Sequence, residues 1–186
     1  MKWTEGIIAG TIARQTLASK CVVLVDRCTW TGNECDVLAV TTDLRIIDVE
    51  VKISRADLKA DAKKDKWWHA YNWRLHGNVP NWKDRPRERR EWPPKVWKHY
   101  YAMPADIWKP ELLNALPSTR SGVILLREQR SGAIALAEVV RRAQPNKDAG
   151  RITPEDVIDI ARLANLRMWD AYKEVSRARS REGQPA

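Results

Sequence analysis

Phenylalanine is absent from this chain, and cysteine and histidine are scarce. The 186 residues include ten Trp and four Tyr but only three Cys and three His. Because Trp must fill core positions that Phe usually fills, a Trp here is weaker evidence of a binding surface than in most proteins. An odd number of cysteines does not make a disulfide framework, which favours a reducing compartment. Cys21, Cys28 and Cys35 have no nearby histidine, so we expect buried thiols rather than structural zinc.

Long apolar runs and nucleotide-binding loops are also missing. No stretch of about 18 apolar residues occurs, so we expect no transmembrane helix. The opening MKWTEGIIAG has Glu5 before any long apolar block, so we expect no signal peptide. There is no phosphate-cradling glycine loop and no Ser/His/Asp pattern. These absences predict a cytoplasmic protein without a membrane partner, in a bacterium or in the host if a phage encodes it.

Positive charge is concentrated in one central stretch. The net charge is +9, and residues 52–99 carry 14 basic and 6 acidic side chains. A concentrated basic segment is expected where a protein contacts a polyanion such as DNA. A solvated helix followed by a charged loop would give the same pattern, so charge alone leaves both interpretations open.

Apolar periodicity predicts an α/β fold. The length suits one domain, 1–176, with a basic, Trp-rich insertion at 74–95 and a disordered tail at 177–186. The elements expected in chain order are helix 4–19, strands 21–26, 35–40 and 45–53, helix 54–74, strand 96–103, a short helix 110–115, strands 121–128 and 132–139, and helix 154–177.

The strand RIIDVEVKI, residues 45–53, separates apolar from ionisable side chains. Its apolar face carries Ile47, Val49, Val51 and Ile53, and its other face carries Asp48, Glu50 and Lys52. A surface strand could carry these charges freely. A central strand would bury them, and burial is costly without partners.

The loop before this strand decides whether a second carboxylate joins that face. Asp36 lies within the preceding apolar strand, CDVLAV. A three-residue loop, Thr42–Asp43–Leu44, would oppose Asp36 to Glu50, and opposed residues share a face. A two-residue loop would pair Asp36 with Val49 and separate the carboxylates. We expect the three-residue loop.

Two facing carboxylates beside an ammonium suit a hydrated divalent cation. Mg²⁺ prefers oxygen ligands and lowers the pKa of a bound water, and Lys52 could orient that water or stabilise charge in the transition state. Asp48 shares the face of Glu50 and is an additional ligand or a replacement for Asp36. Glu34 is expected in the turn, and Glu5 as a solvated first-turn acid.

The pattern of Asp36 followed by Glu50-Val51-Lys52 resembles the D…(D/E)xK signature of PD-(D/E)xK, restriction-endonuclease-like nucleases. The segments CDVLAV, DVEVKISRADLKADAKKDKW, HYYAMP, SGVILL and AEVVRRAQPN are more closely similar to the MmcB-like DNA repair family. This resemblance covers roughly residues 35–146 and is broken by 74–95. One departure is Asn33-Glu34-Cys35, where the pattern leads us to expect a basic residue.

The resemblance implies a restriction-endonuclease-like core, in which a mixed central sheet is flanked by helices, and a Mg²⁺-dependent endonuclease acting on DNA. Asp36 and Glu50 would bind the metal, the carbonyl of Val51 would add a ligand, and Lys52 would be catalytic. Mn²⁺ would substitute for Mg²⁺. The reaction would serve DNA repair, replication or phage and mobile-element biology, and related folds often dimerise to cut two strands.

Cations and indoles alternate after this motif. Cations follow phosphates, and aromatic rings stack on exposed bases. Trp67, Trp68 and Trp97 are expected in the core. The expected nucleic-acid contacts are Arg55, Lys63, Lys64, Lys66, Arg85, Arg87, Arg89, Arg90, Trp82 and Trp92. The alternative for the Pro-rich loop is a basic flap that packs its Trp residues onto the body.

Two other functions fit the same residues. One is a nuclease fold that binds nucleic acid without cutting it. The other is a phage-type factor that binds a host protein through the Trp-rich loop. Steep salt dependence without cleavage would favour the first, and salt-insensitive binding that needs Trp82 or Trp92 would favour the second.

Overall fold

A computed structural model describes residues 2–69, 74, 77, 87–129 and 135–182. Six strands form one sheet in chain order, and they are β1 (Cys21–Cys28), β2 (Cys35–Thr41), β3 (Ile46–Val51), β4 (Lys98–Pro104), β5 (Gly122–Glu128) and β6 (Ala135–Arg141). β1 to β3 are antiparallel, β3 to β5 are parallel, and β6 runs antiparallel to β5. The expected α/β class with a mixed sheet is confirmed.

The first helix covers one face of this sheet. α1 (Glu5–Ile12) begins where the Thr4 hydroxyl accepts a hydrogen bond from the Ile7 amide, and a π-helical segment, Ala13–Leu17, continues it. Its buried Ile8 and Ile12 pack against the apolar sides of β2, β3 and β5. We call this side of the sheet the α1 face.

Two segments share the opposite face of the sheet. α2 (Arg55–Ala60) and the turns after it bury Leu58 and Trp67 against β4 and β5. α3 (Pro154–Glu182) packs Ile160 against β1 and β2. A short 3₁₀ helix, Pro110–Ala115, occupies the position where a short helix was expected. The charged side of β3 therefore lies under α2 and the turns after it.

The three-residue hairpin loop is confirmed. Val37 pairs with Val49 and Leu38 with Asp48, which is the register that this loop predicts. Leu44 adopts a left-handed conformation (φ 61°), as the last residue of a three-residue hairpin often does. Asp36 therefore shares a face with Glu50.

The helix predicted for residues 54–74 is interrupted after Ala60; Arg74 is helical, and residues 70–73 lie outside the described residues. Ser54 caps α2 as expected, but two 3₁₀ turns, Asp61–Lys63 and Asp65–Trp67, follow the helix. Lys64 between them is extended (ψ 140°). Burial of Asp61 and Trp67 over the sheet outweighs the helix propensity of this lysine-rich sequence.

Two other boundaries differ from expectation. Ile53 was predicted on the apolar face, but β3 ends at Val51 and Ile53 is 47% exposed. The tail predicted to be disordered from residue 177 is helical as far as Glu182, because α3 continues, and 183–186 lie outside the described residues. Of the insertion, residues 74, 77 and 87–95 are described, and its Arg89 pairs with Trp68 in an isolated antiparallel bridge.

Within the described part of the chain, no helix combines the length and the apolar character needed to cross a bilayer.

Candidate functional site

The charged side of β3 is buried. Asp48, Glu50 and Lys52 are 1%, 0% and 2% exposed. Of the two alternatives for this strand, the central, covered strand is therefore confirmed. The cost of burying these charges must be met by partners, and these come from the segment that follows α2.

The 3₁₀ turns after α2 supply one carboxylate and two ammonium groups to β3. The Lys52 ammonium lies 3.1 Å from Glu50 Oε2 and 2.8 Å from Asp61 Oδ1. The Lys64 ammonium donates to Glu50 Oε2 at 2.7 Å, and the Lys66 ammonium makes a short contact with Glu50 Oε1. We call Asp48, Glu50, Lys52, Asp61, Lys64 and Lys66 the lysine–carboxylate cluster, and its three carboxylates balance its three ammonium groups.

This charge balance keeps Glu50 ionised. Burial opposes its ionisation, but Lys66, Lys52 and Lys64 outweigh burial and lower the pKa of Glu50 to about 2. Burial opposes the charge of Lys64 and Lys66, but the carboxylates of Glu50 and Asp61, joined at Lys66 by Asp48, raise the pKa of both lysines. Both Glu50 oxygens therefore already accept hydrogen bonds from ammonium groups.

Asp61 anchors the cluster, and the sequence reasoning missed it. Its oxygens also accept from the Trp67 indole at 2.9 Å and from the Tyr101 hydroxyl at 2.6 Å. Burial opposes its ionisation, but Lys66 and Lys52 lower the pKa of Asp61 below its ordinary value. The only sequence signal for Asp61 was its position one helical turn after Asp57. If the helix continued past Ala60, that position would be solvated.

His99 of β4 closes the cluster on the side of Asp48. Its Nδ1 lies 3.0 Å from the Ser121 hydroxyl, and its Nε2 lies 3.4 Å from the Lys66 ammonium. Burial and Lys66 lower the pKa of His99 well below its ordinary value, so the ring is neutral at pH 7. Asp48 Oδ1 is buried and has no hydrogen-bond partner among the described residues.

Asp36 lies at the edge of this arrangement and remains partly accessible. Its Oδ2 accepts a hydrogen bond from the Val51 amide at 2.7 Å. Burial and the nearby Glu50 carboxylate raise the pKa of Asp36 to about 6. It borders a cavity of about 240 Å³ that Glu5, Asp26, Arg27 and Val51 also line. Glu5, expected to be a solvated acid, therefore borders the same cavity as Asp36.

The carboxylate oxygens at this site are ligands that suit a hard divalent cation. At Glu50, however, ammonium groups already occupy both oxygens. Asp36 and Glu50 offer carboxylate oxygens, and Asp48 Oδ1 is a buried oxygen without a partner. Within the described ranges, no group of three or more His, Cys, Asp or Glu side chains is arranged to hold a metal ion. Of the three ammonium groups at Glu50, only that of Lys64 has substantial solvent access, at 46%.

The expected nucleic-acid contacts occupy three kinds of environment. Lys64 and Lys66 belong to the lysine–carboxylate cluster, and Lys66 is 2% exposed, so its ammonium does not face solvent. Arg55 donates to the carbonyls of Asp106 and Ile107. Lys63, Arg87 and Arg89 are exposed, and so are Arg55 and Lys64.

The guanidinium groups of Arg87 and Arg89 lie over the half-buried Trp68 ring, at 5.0 and 5.7 Å from its centroid. Arg90 donates to the Trp68 carbonyl at 3.1 Å. Trp92 is half-buried, and its indole donates to the Gln144 carbonyl at 3.1 Å. Trp82 and Arg85 lie outside the described residues. Trp67 is fully buried, as expected for a core residue, and Trp97 is half-buried.

The fold has a counterpart among solved structures. The chain is similar to the SPO1766 protein of unknown function from Silicibacter pomeroyi, with a TM-score of 0.53 and 21% sequence identity over 100% of this chain and 98% of that chain. No family model and no curated protein matches the chain. At this identity the likeness shows a shared fold alone.

Proposed function

We propose that this chain is a metal-dependent nuclease with a restriction-endonuclease-like core, which hydrolyses phosphodiester bonds in DNA during repair, replication or mobile-element processes. One observation carries the proposal. The β2–β3 register sets Asp36 on the same face as Glu50, and Lys52 is hydrogen-bonded to Glu50. A D…ExK motif requires this arrangement of its three residues.

Asp36 and Glu50 would hold a Mg²⁺ or Mn²⁺ ion together with the carbonyl of Val51, and Asp48 is the additional carboxylate beside them. When bound, such a cation polarises the phosphodiester and lowers the pKa of a coordinated water. The contacts from Glu50 and Asp61 hold the Lys52 ammonium in a fixed position. A fixed cation there stabilises negative charge that develops on the phosphate.

Lys64 is the residue that a metal ion would compete with. Its ammonium shares Glu50 Oε2 with Lys52 and is the most exposed of the three. If a divalent cation takes its place, Lys52 and Lys66 stay buried beside their carboxylates. The Lys64→Met variant is therefore expected to bind Mn²⁺ several-fold more tightly than the wild type in a calorimetric titration.

The test of the nuclease activity rests on Asp36, because it is only partly buried. Glu50 and Lys52 belong to a buried charge network, and removing either one is expected to disturb folding. Asp36→Asn keeps an oxygen that can accept from the Val51 amide. Glu34→Gln is the matched control, because Glu34 is an exposed carboxylate two residues away.

We expect the wild type to cleave labelled single-stranded, duplex or branched DNA when Mg²⁺ or Mn²⁺ is added. Asp36→Asn should lose at least about 100-fold in rate, since a metal ligand is removed, while Glu34→Gln keeps the wild-type rate. Cleavage by Asp36→Asn at the wild-type rate would refute the assignment of this residue.

A second candidate is a nuclease fold that binds nucleic acid without cutting it. The ammonium groups on both Glu50 oxygens favour it. In this case the protein binds DNA with steep salt dependence and shows no cleavage with either metal. The protein-interaction alternative depends on Trp82, which lies outside the described residues, and it stays a prediction.

We also propose that two copies of the chain associate through α3. This 29-residue helix carries seven of the large apolar side chains that are exposed, among them Trp169 at 59% and Tyr172 at 58%. Exposed apolar patches of this kind mark interaction sites. Glu155 and Asp156 lie in its first turn and Arg177 and Arg179 near its end. An antiparallel pair of identical helices would bring these opposite charges together.

A further inference from the structure

A second cavity lies on the α1 face, away from the lysine–carboxylate cluster. It measures about 560 Å³, a size typical of sites for small ligands. Its apolar wall includes Leu17, Ile47 and Ile124, which also belong to the core on this face. Its remaining lining includes the polar Thr16, Thr41 and Thr42.

Three cationic residues line the same cavity from different elements. Lys20 follows the π-helical segment, Lys98 begins β4, and Arg142 follows β6. Among the described residues, none of the three forms an ion pair with a carboxylate. The Lys98 ammonium lies instead over the Trp97 ring, 4.2 Å from its centroid.

The acidic residue that lines this cavity is already engaged. Asp43 lies 3.2 Å from the Arg45 guanidinium and accepts a hydrogen bond from the Thr41 hydroxyl. The three cations therefore leave the cavity with an excess of positive charge, which Asp43 offsets only in part. Burial, followed by repulsion from Lys20 and Arg142, lowers the pKa of Lys98, which agrees with this excess of positive charge.

We propose that this cavity binds a phosphate group carried on an apolar body, with the phosphate among Lys20, Lys98 and Arg142 and the body against the apolar wall. Three cations match a phosphate of charge near −2 better than they match a single carboxylate. The phosphate could come from a nucleotide or from an alkyl phosphate such as a lipid headgroup. In both cases the recognised chemistry is the same.

This site is distinct from the candidate nuclease site. Lys98 pairs with Ile47 in the parallel β3–β4 ladder, and the side chains of Ile47 and Val49 lie on the α1 face. Asp48 and Glu50, which alternate with them along β3, lie on the other face. A ligand in the cavity therefore does not occupy the position proposed for the scissile phosphodiester.

The experiment is a calorimetric titration of the full chain at low salt with three probes. These are thymidine 5′-monophosphate, decyl phosphate and inorganic phosphate. We expect at least one organic phosphate to bind at least ten-fold more tightly than inorganic phosphate, because only the organic probes reach the apolar wall. The probe that binds more tightly identifies the source of the phosphate.

Variants decide whether these cations carry the binding. Lys98→Met, and separately the exposed Arg142→Gln, should each weaken binding by about ten-fold, as expected for the loss of one charge-assisted hydrogen bond. Lys109→Met, at an exposed lysine outside the cavity, should bind as the wild type does. The proposal is overturned if no organic phosphate binds at millimolar concentration, or if Arg142→Gln and Lys98→Met bind like the Lys109→Met control.

Discussion

Asp36 carries an unfavourable charge in the folded protein. Burial and the Glu50 carboxylate raise its pKa from an ordinary 3.8 to about 6. The folded state therefore binds a proton at this carboxyl more tightly than the unfolded state does. Below about pH 4 both states are protonated at this residue and no penalty arises. As the pH rises through 6 the carboxyl ionises in the folded state, and stability is lost.

We therefore predict that Asp36→Asn stabilises the protein at neutral pH. As the pH rises from 4 to 7, the free energy of unfolding of the variant should increase relative to the wild type by about 1 kcal/mol. This figure allows for solvent screening of this partly exposed group. The gain should then stay constant at higher pH. Urea unfolding of both proteins at pH 4.5 and pH 7.5 measures it. If the difference in free energy of unfolding between the two proteins is the same at both pH values, the raised pKa of Asp36 is contradicted.

The segment after α2 is held to the sheet by one carboxylate. Asp61 is fully buried and bonds Lys52, which directly follows β3, Tyr101 of β4 and the indole of Trp67 within its own segment. Because these partners belong to three different elements, Asp61 joins the 3₁₀ turns to both strands. Its loss leaves the Trp67 indole and the Tyr101 hydroxyl without their acceptor and removes one of the two carboxylates that bond the buried Lys52 ammonium.

We predict that Asp61→Ala destabilises the protein by about 3–5 kcal/mol, as expected when one member of a buried ion pair is removed. Trp67 should become more accessible, and its fluorescence should shift to longer wavelength. The matched control is Asp65→Ala, because Asp65 lies in the same segment, is 87% exposed and pairs with the surface Arg87. The control should cost less than about 1 kcal/mol. Equal losses for both variants would mean that Asp61 does not anchor the segment.

At the scale of the whole molecule, α3 extends beyond the body that it packs on. Ile160 and Ala164, near its start, pack into the core, whereas the later Trp169, Tyr172 and Val175 are exposed. The helix is about 44 Å long at the usual rise per residue. Its second half therefore offers an apolar surface that its own chain leaves largely uncovered within the described residues.

We predict that the protein forms a concentration-dependent homodimer. Light scattering should approach twice the chain mass of 21.4 kDa as the concentration rises. Trp169→Asp should weaken the association by about thirty-fold, the effect of losing a central aromatic contact worth about 2 kcal/mol. Leu136→Ser, at an exposed apolar residue of β6, should leave the mass unchanged. A wild type that stays monomeric at high concentration would exclude this interface.

The sequence by itself determined the strands and the register of the central hairpin. The alternation of apolar and charged residues in β3 has the period of a strand, and the three-residue loop places Asp36 on the face of Glu50. The N-termini of the three helices, capped by Thr4, Ser54 and Thr153, also follow local rules. Each capping hydroxyl accepts a hydrogen bond from the amide three residues ahead. Interactions over a few residues are sufficient for these features.

Only the tertiary structure decided which partners neutralise the charges on β3. Lys64 and Lys66 read as part of a solvated helix, since nothing within a few residues shows that the chain leaves the helix after Ala60. The chain folds back because Asp61 and Trp67 find partners on β4, which are 40 and 32 residues away. Burial and ion pairing over such separations depend on the packed arrangement of several elements, and local periodicity carries no information about them.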